Sequence, residues 1–167
     1  REVILYSYRV TPQLEEEINK ALYQRRYLSD KLSNLGFRAE SPAVVKGKSG
    51  LDQTFYLVAS SGVGFTKIKI VIEMLGTDGE IPANEIFASY ARAVDIGAYG
   101  MIVAAIPVLS NDAKRAADSY GIEYVEASDL PTAAEKIVTK LEELIETPES
   151  RALQVFGGLG WKRSEGE

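Results

Sequence analysis

The segment from Gly100 to Val125 constrains the fold of this chain more than any other. An almost unbroken apolar run, Gly100 to Ile106, is followed by Ser110, a favoured helix N-cap, and by Gly121, a favoured residue at a helix C-terminus. The strand-like residues Ile122 to Val125 come directly after. This order predicts a β-α-β unit with two parallel strands and a right-handed crossover. Because the apolar run has no polar face, we expect it to lie inside a sheet with helices covering both sides.

Other segments predict three more helices and a hairpin. Helical spacing of apolar residues, which in the first helix includes Leu14, Ile18 and Leu22, predicts helices over 12–35, 82–96 and 130–145, the first two ended by glycines at 36 and 97. The β-rich runs 54–60 and 65–74 predict a hairpin, and the glycines at 76 and 79 predict a loop after it. Residues 3–8 and 37–45 are predicted to be extended.

Composition narrows the possible chemistry. The chain has 167 residues, 46% of them hydrophobic, which is typical of one globular domain. Without Cys or His there are no disulfides, no thiolate metal sites and no histidine base, so any chemistry would rest on carboxylates, lysines or hydroxyls. The net charge of -5 disfavours broad binding to phosphate backbones. No membrane span or signal peptide is predicted, which favours a cytoplasmic location.

We expect one folded domain over residues 1–146. From Thr147 to Glu167 the composition becomes polar and Gly-rich around one apolar patch, Leu153 to Phe156 with Trp161. The prediction for residues 147–167 is a tail, or the start of a further segment, with one hydrophobic anchor.

A resemblance to a nuclease superfamily follows from two acids and the order of elements. Gly50-x-Asp52 enters the first strand of the predicted hairpin, and Glu73 lies near the end of the second. With the helices around them, they resemble the PD-(D/E)xK nucleases, notably archaeal Holliday junction resolvases and Mrr-type enzymes. The resemblance implies a restriction-endonuclease-like α/β domain of three layers, with a mixed central sheet flanked by helices. It also implies that Asp52 and Glu73 stand at the Mg²⁺-binding positions.

The position where that superfamily carries lysine, two residues after the second acid, is Leu75 in this chain. Leucine cannot orient water or neutralise developing charge, and losing one such preorganised group lowers the rate by about 10²–10³. Lys69 lies about 13 Å back along the strand, and Arg92 is a poor proton acceptor. We therefore expect no catalytic residues and no cofactor. A metal would bind only if a remnant of the Asp52 and Glu73 site survives.

A second resemblance concerns the whole chain rather than a short motif. The runs 55–59 (FYLVA) and 70–76 (IVIEMLG), with the altered lysine position, are similar to the TBP-interacting proteins of hyperthermophilic archaea of the order Thermococcales. That similarity implies a homodimer that binds TATA-binding protein and keeps it from promoter DNA. Because the DNA-binding face of TATA-binding protein is basic, an inhibitor should present carboxylates. The candidates are Glu15, Glu16, Glu17, Asp78, Glu80 and Glu85.

Alternatives remain for these assignments. Acids in the first turn of a helix are favoured by the helix dipole alone, and the acids at 142, 143, 146 and 149 include several that alternate with lysines, as solvated faces do. The alternative function is an active or weakly active Mg²⁺-dependent, structure-specific endonuclease. Direct nucleic-acid binding is disfavoured, because acids interrupt the basic groups on the first helix and before Asp52.

Overall fold

The computed structural model describes residues 12–61 and 67–146, which form four helices and seven strands. The helices are α1 (Pro12–Asn34), α2 (Ala83–Asp95), α3 (Asn111–Ser119) and α4 (Leu130–Glu146). The strands are β1 (Arg38–Glu40), β2 (Ala43–Lys46), β3 (Asp52–Phe55), β4 (Leu57–Ser61), β5 (Ile68–Ile81), β6 (Gly100–Leu109) and β7 (Glu123–Glu126).

Five of the strands form one mixed sheet in the order β1-β4-β5-β6-β7. The strands β5, β6 and β7 are parallel, whereas β4 runs antiparallel to both β1 and β5. The strands β2 and β3 pair separately as an antiparallel ribbon. The chain is therefore a mixed α/β domain with a five-stranded sheet flanked by helices, and the predicted β-α-β unit and hairpin are both confirmed.

The strand β6 lies inside the sheet between β5 and β7, and its residues Met101–Ala105 are all buried. Alternate residues of β6 belong to two hydrophobic clusters, because neighbouring side chains of a strand point to opposite faces. One cluster contains Val103 with Ile86 of α2, and the other contains Ile102 with Ile137 of α4. The double burial predicted from the apolar run is confirmed.

The capping residues in the sequence predicted the helix ends correctly. The Ser110 side chain accepts a hydrogen bond from the Ala113 N–H at 3.1 Å, which caps α3 as predicted. Gly36, Gly97 and Gly121 end their helices with positive φ angles of 91°, 68° and 68°, a conformation that disfavours side chains.

The first helix forms where it was predicted, but only part of it is buried. The C-terminal half packs into the core through Leu28 and Leu32, but Ile18 is 45% exposed and Leu22 is 55% exposed. The predicted helix is present, but these two apolar side chains lie outside the core of the described residues. Their spacing was helical, but spacing alone does not say whether a neighbour lies against that face.

Two strand predictions also change. The glycines at 76 and 79 were predicted to form a loop, yet they lie inside β5, which continues to Ile81 and pairs with β6 across a register irregularity between Gly76 and Glu80. The hairpin strand predicted from Thr54 begins at Leu57, because Thr54 pairs with Val44 in the separate ribbon. In both places the partner strand, rather than local sequence, decides the element.

Some predictions fall outside the described residues. These are the strand over residues 3–8, the side chain of Leu14, the turn of the hairpin at 62–64 and the segment 147–167. Among the helices that are described, none combines the length and the apolar character needed to cross a membrane.

Candidate functional site

The centre of the candidate site is Glu73, an acid buried within the sheet. It lies on β5 opposite Val103 of β6, and only 6% of its surface is exposed. Glu73 and Ser89 are the two buried polar residues in the described part of the chain. Burying a carboxylate is costly unless it is paired and hydrogen-bonded, so its partners decide what it can do.

Both oxygens of the Glu73 carboxylate are engaged. Glu73 Oε2 lies 2.8 Å from Arg92 Nη2 and accepts a long hydrogen bond from Ser89 Oγ at 3.5 Å. Glu73 Oε1 accepts the backbone N–H of Tyr56 at 3.2 Å. Arg92 Nη2 also donates to Ser89 Oγ at 3.1 Å, so the helix α2 holds the acid through two linked side chains.

Burial controls the acidity of this carboxyl group. Desolvation raises the pKa of Glu73 above its usual value of 4.5, while the nearby Arg92 charge and the hydrogen bonds counteract part of that rise. A metal ion would have to compete with the Arg92 guanidinium for the Glu73 carboxylate. The arrangement therefore stabilises an internal ion pair rather than an open ligand.

The other predicted acid, Asp52, has different partners. It begins β3 in the ribbon, opposite Lys46, and its Oδ1 lies 3.3 Å from Lys46 Nζ. The Asp52 side chain is 61% exposed, whereas that of Glu73 is 8% exposed. No contact described for either acid joins them, and residues 12–61 and 67–146 contain no group of three or more acids that could hold a metal ion.

Tyr56 occupies the strand position beside Glu73, which the sequence reasoning did not identify. Leu57 pairs with Ile72, so one step further along the antiparallel ladder brings Tyr56 opposite Glu73. The Arg25 guanidinium of α1 lies 4.8 Å from the centre of the Tyr56 ring, a cation–π arrangement. Burial raises the pKa of Tyr56, and Arg25 opposes this rise. The observed register of the hairpin, which the predicted turn does not give, places Tyr56 opposite Glu73.

Neither Leu75 nor the lysines near β5 place an ammonium group beside Glu73 in the described residues. Leu75 lies two residues after Glu73, on the same face of the strand, and packs against the cluster that contains Val103. Lys69 pairs with Ser60 at the far end of the hairpin from Glu73, and Lys67 is exposed before β5 begins. Arg92 is thus the cation that contacts Glu73 among the described residues.

The six acidic candidates for a protein-binding surface are all exposed and lie toward one end of the molecule. Asp78 and Glu80 lie near the carboxyl end of β5, and Glu85 lies in the first turn of the helix that follows. The start of α1 reaches the same end, because Pro12 lines one cavity with Pro131, the second residue of α4. Glu15, Glu16 and Glu17 are exposed there, and Glu16 forms an ion pair with Lys20 at 3.0 Å.

The ribbon is fastened to the end of α2 by Asp95. The Asp95 carboxylate accepts hydrogen bonds from the Ser49 N–H at 2.9 Å, the Ser49 hydroxyl at 2.7 Å and the Gln53 amide at 2.9 Å. These bonds lower the pKa of Asp95, with that from Gln53 having the largest effect. Sequence reasoning missed this contact, since residues 49 and 95 are far apart in the chain.

Comparison with solved structures supports the fold of this chain but does not show its function. The fold defines the chain as a mixed α/β domain of the kind described above. The crystal structure of AF1548, a protein of unknown function, is similar, with a TM-score of 0.53 and 19% identity over 74% of this chain and 67% of that one. The DNA modification-dependent restriction endonuclease AspBHI gives a TM-score of 0.41 and 9% identity over 74% of this chain and 35% of that one. No protein-family model and no curated protein matches the chain.

Proposed function

We propose that this protein is a non-catalytic, restriction-endonuclease-like domain that binds TATA-binding protein and keeps it from TATA-box DNA. The observation that carries the proposal is an ion pair: the Glu73 carboxylate lies 2.8 Å from the Arg92 guanidinium. Leu75 supplies no charge beside it, and Asp52 pairs with Lys46. A metal-dependent nuclease site needs a free metal-binding acid, and the pairing of Glu73 with Arg92 disfavours one.

The acidic end of the domain supports a basic protein partner. Carboxylates complementary to a basic surface speed association and select the partner. The candidate surface comprises Glu15, Glu16, Glu17, Asp78, Glu80 and Glu85, all exposed. TATA-binding protein is proposed as the partner because of the whole-chain resemblance. That resemblance implies a homodimeric inhibitor that covers the DNA-binding face of TATA-binding protein.

A gel-shift competition tests the partner. Adding this protein to TATA-binding protein and a labelled TATA-box probe should abolish the shifted band. The triple variant Glu15→Lys, Glu16→Lys, Glu17→Lys should need about tenfold more protein for the same effect, because it reverses charge at the proposed interface. The matched control, Glu142→Lys with Glu143→Lys, changes exposed acids near the other end of α4 and should compete like the unaltered protein. A shifted band that persists at every concentration contradicts the proposal.

A nuclease assay tests the absence of catalysis. Four-way-junction and duplex DNA incubated with the protein in Mg²⁺ or Mn²⁺ should remain intact. Cleavage that disappears in Glu73→Gln would instead support the second candidate, a structure-specific endonuclease. The observation that favours this alternative is the position of Arg92, which places a cation against Glu73 on β5.

A further inference from the structure

Three side chains that can donate hydrogen bonds form a row across one end of the sheet. Arg38 of β1 pairs with Ser60 of β4, and Ser60 pairs with Lys69 of β5. Directly paired residues of antiparallel strands project to the same face, with Cβ atoms about 4.5–5.5 Å apart. A guanidinium, a hydroxyl and an ammonium group therefore project from neighbouring positions on three adjacent strands.

None of these three side chains has a partner in the described part of the chain. The ion pairs formed within residues 12–61 and 67–146 use other cations, namely Lys20, Lys46, Arg92, Lys114, Arg115 and Lys140. The side-chain hydrogen bonds of the same ranges also involve other residues. Arg38 is exposed, and Ser60 and Lys69 are half-buried, so the three donors are open to a ligand.

The charge around the row is positive. On this face of β1 and β5, the acids closest to the row along the strands are Glu40 and Glu73. Glu73 lies about 13 Å beyond Lys69 along β5 and is already bound to Arg92. Glu40 lies two residues after Arg38, is exposed and forms no ion pair with it. Glu40 is therefore the acid that would compete with a bound anion.

The sheet holds the row in place. The backbone of Lys69 is paired with β4 on one side, and on the other side its carbonyl accepts the Tyr99 N–H at 2.8 Å. Ser60 is likewise paired on both sides, with Arg38 and with Lys69. Since the backbone positions are fixed before a ligand arrives, binding has to order only the side chains.

We propose that Arg38, Ser60 and Lys69 bind the phosphate group of a small phosphorylated molecule. A phosphate monoester offers three acceptor oxygens and nearly two negative charges, which match three donors and two cations. Centred over Ser60, it can accept charge-assisted hydrogen bonds of about 2.7–2.9 Å from the flanking cations. A carboxylate has two oxygens and one charge, and each phosphate of a nucleic acid carries one charge, so both match the row less well.

NMR titration of the full chain with inorganic phosphate tests the site. At constant ionic strength, the amides of Arg38, Ser60 and Lys69 should shift saturably with phosphate and stay unchanged with chloride. Arg38→Gln with Lys69→Gln should weaken binding about tenfold or more, because it removes both charged donors. The matched control, Arg26→Gln with Lys31→Gln, changes the net charge equally through exposed residues of α1 and should bind like the unaltered protein.

Two further measurements sharpen the test. Glu40→Gln should tighten phosphate binding, because it removes the acid beside Arg38. The monoester O-phosphoserine should shift the same three amides as inorganic phosphate does.

Three results would overturn the proposal. The first is an equal response to chloride, which would show only general screening of charge. The second is unchanged phosphate binding in the double variant of the row. The third is a short DNA duplex that shifts these amides at a lower concentration of phosphate groups than O-phosphoserine, because the row would then be part of a nucleic-acid surface.

Discussion

Glu73 illustrates how a carboxylate is kept inside a sheet. The ion pair with Arg92 and the Tyr56 N–H offset the loss of water that burial imposes on the acid. The Arg92 side chain is still 36% exposed, so this is a half-buried pair, whose removal costs less than that of a fully buried one.

Arg92→Met should lower the free energy of unfolding by about 2–3 kcal/mol, because it leaves the buried Glu73 carboxyl without its cation. The matched control is Arg115→Met, which removes an exposed pair with Asp112 one helical turn away and should cost under about 0.5 kcal/mol. Urea denaturation of both variants at neutral pH measures the difference. Equal effects would show that the Glu73 pair contributes no more than a surface contact.

The acidity of Glu73 gives a second prediction at this scale. Its folded pKa is raised above 4.5, so the folded state binds this proton more tightly than the unfolded state does. The stability contributed by Glu73 should therefore fall as pH rises from 4.5 through the raised pKa. Carbon-13 NMR of the side-chain carboxyl should give a titration midpoint above 4.5, and a higher one in Arg92→Met. A midpoint at or below 4.5 would contradict the burial argument.

Among the elements, the β2–β3 ribbon is joined to the end of α2 by hydrogen bonds to the Asp95 carboxylate. A Cβ atom at Gly47 would lie 1.8 Å from Asp95 Oδ2, so the carboxylate must move away from Ser49 and Gln53. Gly47→Ala should therefore speed exchange of the Ser49 amide and raise the Asp95 pKa toward 3.8. Gly79→Ala is the control, because a Cβ there meets nothing within 4 Å. An unchanged Asp95 titration in Gly47→Ala would show that the contact does not hold the ribbon.

Elements whose signals are local were predictable from sequence, and those set by distant partners were not. Ser110 and Gly97 act within a few residues of themselves, and their roles were predicted correctly. The extension of β5 through Gly76 depends on pairing with β6, which no local pattern reveals. In the site, the assignment of Leu75 to the lysine position of the resembled nucleases stays a prediction, and the partners of Glu73 on α2 and at Tyr56 required the fold.

In the whole molecule, the two hydrophobic clusters share one sheet and should unfold together. Ile86 of α2 belongs to the cluster on one face of the sheet, and Ile137 of α4 belongs to the cluster on the other face. Both side chains are fully buried. Ile86→Ala and Ile137→Ala should each lower stability by about 2–5 kcal/mol and keep a single thermal transition. Calorimetry measures both quantities. Two separate transitions in either variant would show that the layers fold independently.

The position of Leu75 has a consequence for any attempt to place a basic side chain beside Glu73. A lysine placed at 75 would enter a site packed against the core, beside a carboxylate that already has Arg92 as its partner. Neither Leu75→Lys nor loss of Arg92 alone would create a free acid beside a free ammonium group. A free acid beside a free ammonium group therefore needs both changes together, and Leu75→Lys is expected to destabilise the domain because it places a charge against the core.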